Sequence, residues 1–407
     1  MKILHTSDWH LGKSLGNISR NPEQVEVLNE ICEIADREQV NAVIVAGDLF
    51  DTFNPPVESV ELFYRTLKRL ANDGKRVVIA IAGNHDSPER IESPDPLARE
   101  CGIIFLGYPH TKTPPFSLPT GLKVTISDEG FIEVLIPGQV VPLRVIPTPY
   151  ANERRSRSYL GIENPEEELR KILETRWRSI AEKYFDDKGV NILVAHLYLA
   201  SQTGERFEEP DGEKPILDIG GAQAVFLENL PNRVQYVALG HLHRRIRMQH
   251  KNAPVIYSGS PLSYSLSEAD QEKAVTIVEV EPEKEAIAKE VPLHSGRRIY
   301  RKTFSSVTEA ISWLEENPRT LVELTIVSDT YLTAEERKAL YTAHEGIVDI
   351  IPVVKNAEEQ TQAVLTAASL SKSVDQLFRE YFRREQKQDP NDEIMTLLQE
   401  IMKAEEE

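Results

Sequence analysis

Five short motifs hold side chains able to bind a metal: Asp8-Trp9-His10, Gly47-Asp48-Leu49-Phe50-Asp51, Gly83-Asn84-His85-Asp86, Ala195-His196 and Gly240-His241-Leu242-His243. Each offers a carboxylate, an amide oxygen or imidazole nitrogens, and each directly follows a short apolar run. Such a mixture, with no thiolate in it, suits borderline-to-hard divalent cations such as Mn²⁺. Any single motif has an ordinary explanation, because a lone histidine is usually a satisfied core residue and Gly-Asp or Gly-Asn after a strand is usually a turn. Five in succession, all at strand ends, point instead to a metal centre. The glycines before Asp48, Asn84 and His241 permit tight turns and close backbone approach. His5, His110, His250, His294 and His344 lack such partners and read as core or surface residues, with His5 also placed to support a ligand.

The elements that must position these motifs are short buried strands over Lys2–Thr6, Ala42–Ala46, Val77–Ala82, Asn191–Ala195 and Val234–Leu239. Asn21-Pro22-Glu23-Gln24 reads as a helix start, with Asn21 as N-cap, Pro22 first in the helix and Gln24 at the capping-box position. Val25, Leu28, Ile31 and Ala35 then form its apolar face. A second helix is predicted over Val57–Asp73, stopped by Gly74. The resulting β-α-β-α-β opening implies a layered α/β fold, and in open α/β sheets ligands gather beyond the carboxyl ends of the strands. Residues Leu106–Tyr150 read as further strands and loops, and Pro165–Tyr184 as a charged amphipathic helix.

The 407 residues predict two or three domains. No long uncharged apolar run and no hydrophobic leader is seen, which predicts a cytoplasmic chain with no membrane segment. Cys32 and Cys101 are too few for a disulfide framework. A change in character near 281–296 sets the expected divisions: a metal-binding domain over 1–280, a small α/β cap over 297–357 and a helical tail over 370–407. Within the cap, helices are expected at Val307–Glu316 and Thr333–His344 and strands at Leu321–Val327 and Val348–Val354. In the tail, Val374, Leu377, Phe378, Tyr381 and Phe382, then Ile394, Leu397, Leu398, Ile401 and Met402, repeat a helical apolar spacing around Asp389-Pro390-Asn391.

Taken in order, the motifs resemble the calcineurin-like metallophosphoesterases, whose signature DxH, GDxxD, GNH(D/E), a lone His and GHxH is complete over about residues 1–245. The resemblance implies a four-layer α-β-β-α sandwich. It puts Asp8, His10 and His243 on one metal ion, Asn84, His196 and His241 on a second, and Asp48 between them. Hydrolysis at phosphorus follows, since such a pair of ions activates water and clamps the attacking and leaving oxygens. His85 is then no ligand but a general acid or a stabiliser of transition-state charge, with Asp51 orienting its imidazole. Asp51 also stands where purple acid phosphatases carry a tyrosine ligand, so an iron–tyrosinate site is not expected.

Residues 3–12, 45–52, 238–244 and 257–261 are similar, more narrowly, to the SbcD family of bacterial nuclease subunits, and the cap and tail fit its domain order. Ala195 departs from the glycine many relatives carry before the lone histidine. The family implies a DNA double-strand exonuclease and single-strand or hairpin endonuclease in end processing, recombination and repair, using Mn²⁺ or Mg²⁺. It also implies an SbcC-type SMC-like ATPase partner, docked on Leu377, Phe378, Phe382, Leu397 and Leu398 unless the tail helices fold back on the cap, and a homodimer within a heterotetramer. Val60, Phe63, Tyr64, Leu67 and Leu70 of the second helix could serve dimerisation or pack on their own sheet. The formal charge of −18 argues against affinity for DNA over the whole surface. Local arginines must then make the contacts: Arg20, Arg244 and Arg245 first, with Arg154, Arg155, Arg157, Arg247, Arg297, Arg298 and Arg301 as further candidates. A small-molecule phosphodiesterase or phosphatase, or a non-catalytic DNA-end-binding scaffold, remain the alternatives.

Overall fold

A computed structural model of the chain describes residues 1–156, 165–201, 207, 225–354, and 378, 379, 382, 383, 390, 394, 395 and 398. Two compact units are resolved, one of Met1–Lys302 with Asn317–Glu323 and Glu345–Asp349, the other of Thr303–Glu316, Leu324–His344 and Ile350–Glu407. No helix among the described residues is long and apolar enough to cross a membrane.

Two sheets build the first unit. One runs in the order Ile287–Pro292, Ala274–Glu279, Lys2–Thr6, Ala42–Ala46, Val77–Ile81 and Ile103–Leu106, its last four strands parallel. The other runs Ile246–His250, Ala253–Tyr257, Tyr236–Gly240, Val190–His196, Leu143–Thr148, Phe131–Leu135 and Lys123–Asp128, with the second to fifth of these strands parallel. Strand Ile287–Pro292 pairs antiparallel with Ala274–Glu279, so the sheet continues past the boundary expected at residue 280.

Strands buried on both faces carry continuous apolar sequence, because alternate side chains enter different cores. Ile3, Ile44 and Ile79 face Val145, Ile192 and Ala238 between the sheets. Leu4, Val43, Val45 and Val78 face outward onto Val27, Leu28 and Ile31 of helix Asn21–Arg37 and Phe63, Leu67 and Leu70 of helix Val57–Ala71. Leu193, Val237 and Val255 meet Leu173, Trp177 and Ala181 of helix Pro165–Tyr184 on the far side. The architecture is therefore the four-layer α-β-β-α sandwich.

Several local expectations need correction. Helix Asn21–Arg37 already includes Asn21; its N-cap is Arg20, without a side-chain cap bond. Gln24 is used elsewhere, accepting the Gly12 N–H at 3.0 Å and donating to the His10 carbonyl at 2.8 Å. Val25 lies exposed, and Val27 and Ile34 fill the inner face instead. Phe63 is wholly buried, with its ring 6.2 Å from Trp9, 4.9 Å from Phe50 and 5.9 Å from Phe105. Phe63, Leu67 and Leu70 thus belong to the core, and Phe63→Ala would cost about 3–5 kcal/mol. Only Val60 and Tyr64 of that stripe stay partly accessible.

In the second unit, helices Val307–Glu316 and Ala334–Ala343 pack on each other and bury Ala310, Leu314 and Leu340. The strands expected in the cap form at Thr320–Ser328 and Ile347–Val354, each with residues in both units, and Arg298–Phe304 is a strand that the apolar pattern did not reveal. The tail anchors Leu377 and Leu397 lie outside the described residues, as does most of the segment 355–407. Phe378, Phe382 and Leu398 are described as helical and half-buried.

Candidate metal centre

Strand Lys2–Thr6 delivers Asp8 and His10, Ala42–Ala46 delivers Asp48, Val77–Ile81 delivers Asn84 and His85, Val190–His196 ends in His196, and Tyr236–Gly240 delivers His241 and His243. All of these side chains are buried. Nε2 of His10 lies 3.0 Å from Nε2 of His243 and 3.6 Å from Oδ2 of Asp48. Nε2 of His196 lies 2.9 Å from Oδ1 of Asn84 and 3.2 Å from Oδ2 of Asp48. Three groupings have donor atoms within 4.8 Å of one another, Asp8 with His10 and His243, Asp48 with His196 and His241, and His10 with Asp51 and His85. Imidazole nitrogens this close, without hydrocarbon between them and beside carboxylate and amide oxygens, fit divalent cations.

Backbone strain accompanies that convergence. Asp8 (φ 54°), His10 (φ 43°), Asp48 (φ 47°) and His241 (φ 106°) adopt left-handed conformations that side-chain-bearing residues avoid. Each costs about 1–3 kcal/mol and persists only where the surroundings fix it. The motifs fix one another. Asp8 N–H donates to the Gly47 carbonyl and His10 N–H to the Asp48 carbonyl, both at 3.0 Å. His241 N–H donates to Oδ1 of Asp8 at 2.8 Å, and His85 N–H to Oδ1 of Asp48 at 2.9 Å. A Cβ on Gly83 would stand 2.1 Å from Oδ1 of Asp48, and one on Gly240 would stand 1.8 Å from the Ala46 carbonyl. Both glycines are therefore required by close approach between motifs.

Further side chains hold these groups in place. Asp86 accepts backbone N–H groups from Gly83 at 2.8 Å and from Leu49 and Phe50 at 3.0 Å each, tying the second motif to the third. Burial, and then the neighbouring Asp48 charge, raise its pKa. His196 Nδ1 faces the Ala46 carbonyl at 2.9 Å, whereas His243 Nδ1 faces Oε1 of Glu268 at 3.0 Å. Ser258 meets Ser7 at 2.9 Å behind Asp8, and Tyr264 bonds the Trp9 carbonyl beneath His10.

Asp51 meets His85 through its backbone. His85 Nδ1 is 2.8 Å from the backbone carbonyl of Asp51, so the main chain of Asp51 holds this imidazole. The carboxylate instead takes Lys13 at 3.0 Å and lies 3.7 Å from Nδ1 of His10. Burial raises the Asp51 pKa, but His10 and Lys13 outweigh it and the net shift is downward.

The arginines separate by exposure. Arg20 is fully buried, with Nη1 2.9 Å from Glu23, so it cannot meet a phosphate at the surface as expected; a loop charge has been drawn into the interior by its partner. Arg155 is likewise internal, spanning the Gly83 and Asp86 carbonyls at 2.7 Å each. Arg244 is exposed, while Arg245 is partly covered and pairs with Glu290 at 3.0 Å. Arg297 bonds Glu23 at 2.6 Å, and Arg157 lies outside the described residues. His5 faces Tyr236 at 2.8 Å, and burial lowers its pKa to about 3, consistent with a neutral core histidine.

Charge couples the centre to pH. Burial lowers the His196 pKa, but Asp48 and then Asp8 outweigh it and raise it to about 9. Near pH 7 the metal-free imidazole is thus protonated, and a cation bound there must displace that proton. The apparent Mn²⁺ affinity should therefore rise roughly tenfold per pH unit and level off as pH passes about 9. Calorimetry between pH 6.5 and 8.5, in buffers of different ionisation heat, should record about one proton released; a flat profile refutes this.

Residues 1–245 match the calcineurin-like phosphoesterase family, the class that this sandwich and its converging donors define. The chain is 36% identical over 414 aligned residues to the SbcD subunit of the SbcCD nuclease of Bacillus subtilis, covering all of this chain and 99% of that one. It is 33% identical to the Rhodobacter capsulatus SbcD subunit, covering 69% of this chain and 66% of that one, and 30% identical to the Escherichia coli SbcD subunit, covering 90% and 88%. The chain belongs to the calcineurin-like phosphoesterases and, among them, to the family of SbcD subunits.

Proposed function

We propose that the chain is a metal-dependent DNA nuclease that hydrolyses phosphodiester bonds, acting as a double-strand exonuclease and a single-strand or hairpin endonuclease. The observation that carries this reading is similarity over essentially the whole length to a subunit named as part of a nuclease, which a small-molecule phosphatase would not require. Asp8, His10 and His243 would hold one divalent cation, and Asn84, His196 and His241 a second, with Asp48 shared; Mn²⁺ is favoured and Mg²⁺ is the alternative. Bound there, the pair supplies Lewis acidity to water and to the phosphate oxygens. His85, held through Nδ1 by the Asp51 carbonyl, would as imidazolium pass the Nε2 proton to the leaving oxygen or stabilise the transition-state charge. Arg244, exposed directly after His243, is the preferred phosphate contact, with Arg245 beside it once drawn from Glu290.

Labelled hairpin and linear duplex DNA, incubated with the purified chain and Mn²⁺ or Mg²⁺, test the activity. Cleavage of nucleotides or nitrophenyl esters faster than of DNA would favour the phosphatase reading. The partner is an SbcC-type SMC-like ATPase docked on the C-terminal helices, in the cytoplasm. Truncation after residue 365 should leave a folded, Mn²⁺-dependent nuclease on simple substrates that no longer co-purifies with the ATPase. Unchanged co-purification refutes that role. A homodimer contact through the remaining accessible part of helix Val57–Ala71, at Val60 and Tyr64, would appear as a dimeric mass in light scattering at micromolar concentration.

A further inference from the structure

His243 and His196 both present Nε2 to the centre, but their far nitrogens are held in different ways. His196 Nδ1 meets a neutral main-chain acceptor, the Ala46 carbonyl. His243 Nδ1 meets a carboxylate, Oε1 of Glu268, which is itself almost wholly buried. A buried carboxylate needs compensation, and it is present. Oε1 also accepts the backbone N–H groups of Tyr264 at 3.1 Å and Ser265 at 3.2 Å. Oε2 is ion-paired with Lys273, whose ammonium also bonds the His243 carbonyl and the Ser260 hydroxyl at 3.1 Å each. Lys273 therefore grips both the backbone of the donor and the carboxylate that orients its ring.

We propose that Glu268 and Lys273 are positioning residues that fix the tautomer and ring angle of His243 and thereby tighten, selectively, the cation site formed by Asp8, His10 and His243. The inference rests on the two-cation reading above. A carboxylate behind an imidazole raises its basicity as a donor and commits the proton to Nδ1, leaving Nε2 as the donor atom. His196 Nδ1 is held by the Ala46 carbonyl, so Glu268 acts on the site of His243 and not on that of His196.

Mn²⁺ binding to the full chain, followed by calorimetry and by the paramagnetic signal of unbound Mn²⁺, measures both sites without any substrate. Glu268→Gln keeps the shape and one acceptor oxygen but removes the charge. It should weaken one class of site roughly 10–100-fold and leave the other unchanged. Lys273→Met should weaken the same class less, because the two backbone N–H groups still hold Glu268, and Lys273→Arg should restore it. In nitrogen-15 spectra of the metal-free wild-type chain, a strongly downfield Nδ1-bound proton on His243 is expected, shifting upfield in Glu268→Gln. This last measurement needs only the wild-type chain, should Glu268→Gln fail to fold. Equal weakening of both classes, no change in either, or a His243 proton on Nε2 would each overturn the proposal. Two Mn²⁺ classes with no DNA cleavage would refute the nuclease reading alone, whereas no Mn²⁺ uptake by the wild-type chain would overturn both.

Discussion

Asp48→Ala is expected to reduce bound metal from about two ions per chain to near none and to abolish cleavage, because this carboxylate stands between the two proposed cation sites. Its Oδ2 lies 3.2 Å from His196 and 3.6 Å from His10, and its Oδ1 accepts the His85 N–H. Buried here, its pKa is driven upward by desolvation, but His196, His85 and His10 prevail and keep it ionised well into acid. Removing it leaves several buried imidazoles without their anion, so a thermal unfolding control is needed. Near-normal metal content by elemental analysis in a folded Asp48→Ala variant would refute the bridging role.

A different pattern is expected at His85. His85→Leu should keep both metal and DNA binding while the cleavage rate falls roughly 10²–10⁴-fold, as when acid–base or transition-state assistance alone is lost. Parallel loss of metal would make His85 a ligand. The hydrogen bond to the Asp51 carbonyl sharpens the test. Asp51→Asn retains that carbonyl, so it should leave His85 oriented and lower the rate far less than His85→Leu does. Its effect should fall on Lys13 and His10, which the carboxylate touches. Equal losses in the two variants would return the orienting role to the carboxylate.

Local patterning made the scaffold readable. Apolar runs ending in Asp, Asn, Gly and His marked the five strand ends to within one or two residues, since buried strands and their turns are encoded by neighbours in sequence. What escaped depends on distant neighbours. Arg20 reads as a solvent-facing loop charge until Glu23 and the surrounding core take it inside. Glu268 is visible only as Ser265-x-x-Glu268, the pattern of a helix start, and indeed it caps a short 3₁₀ turn; nothing local says that its other partner lies 25 residues away at His243. Asp86 closes the third motif, yet its bonds reach back 37 residues to Leu49. Asn21 and Gln24 fit a capping box, and the box was lost because the loop of the first motif claims Gln24.

The bond from His241 N–H to Asp8 joins residues 233 apart in the chain. Closing so long a separation is entropically costly. During synthesis, Asp8, His10 and Asp48 emerge long before His241 and His243 exist, so a growing or broken chain ending before them would hold at most part of the proposed donor set. On the proposed function, hydrolytic competence would then wait until the sandwich has closed, and a fragment lacking His241 and His243 would leave DNA uncut.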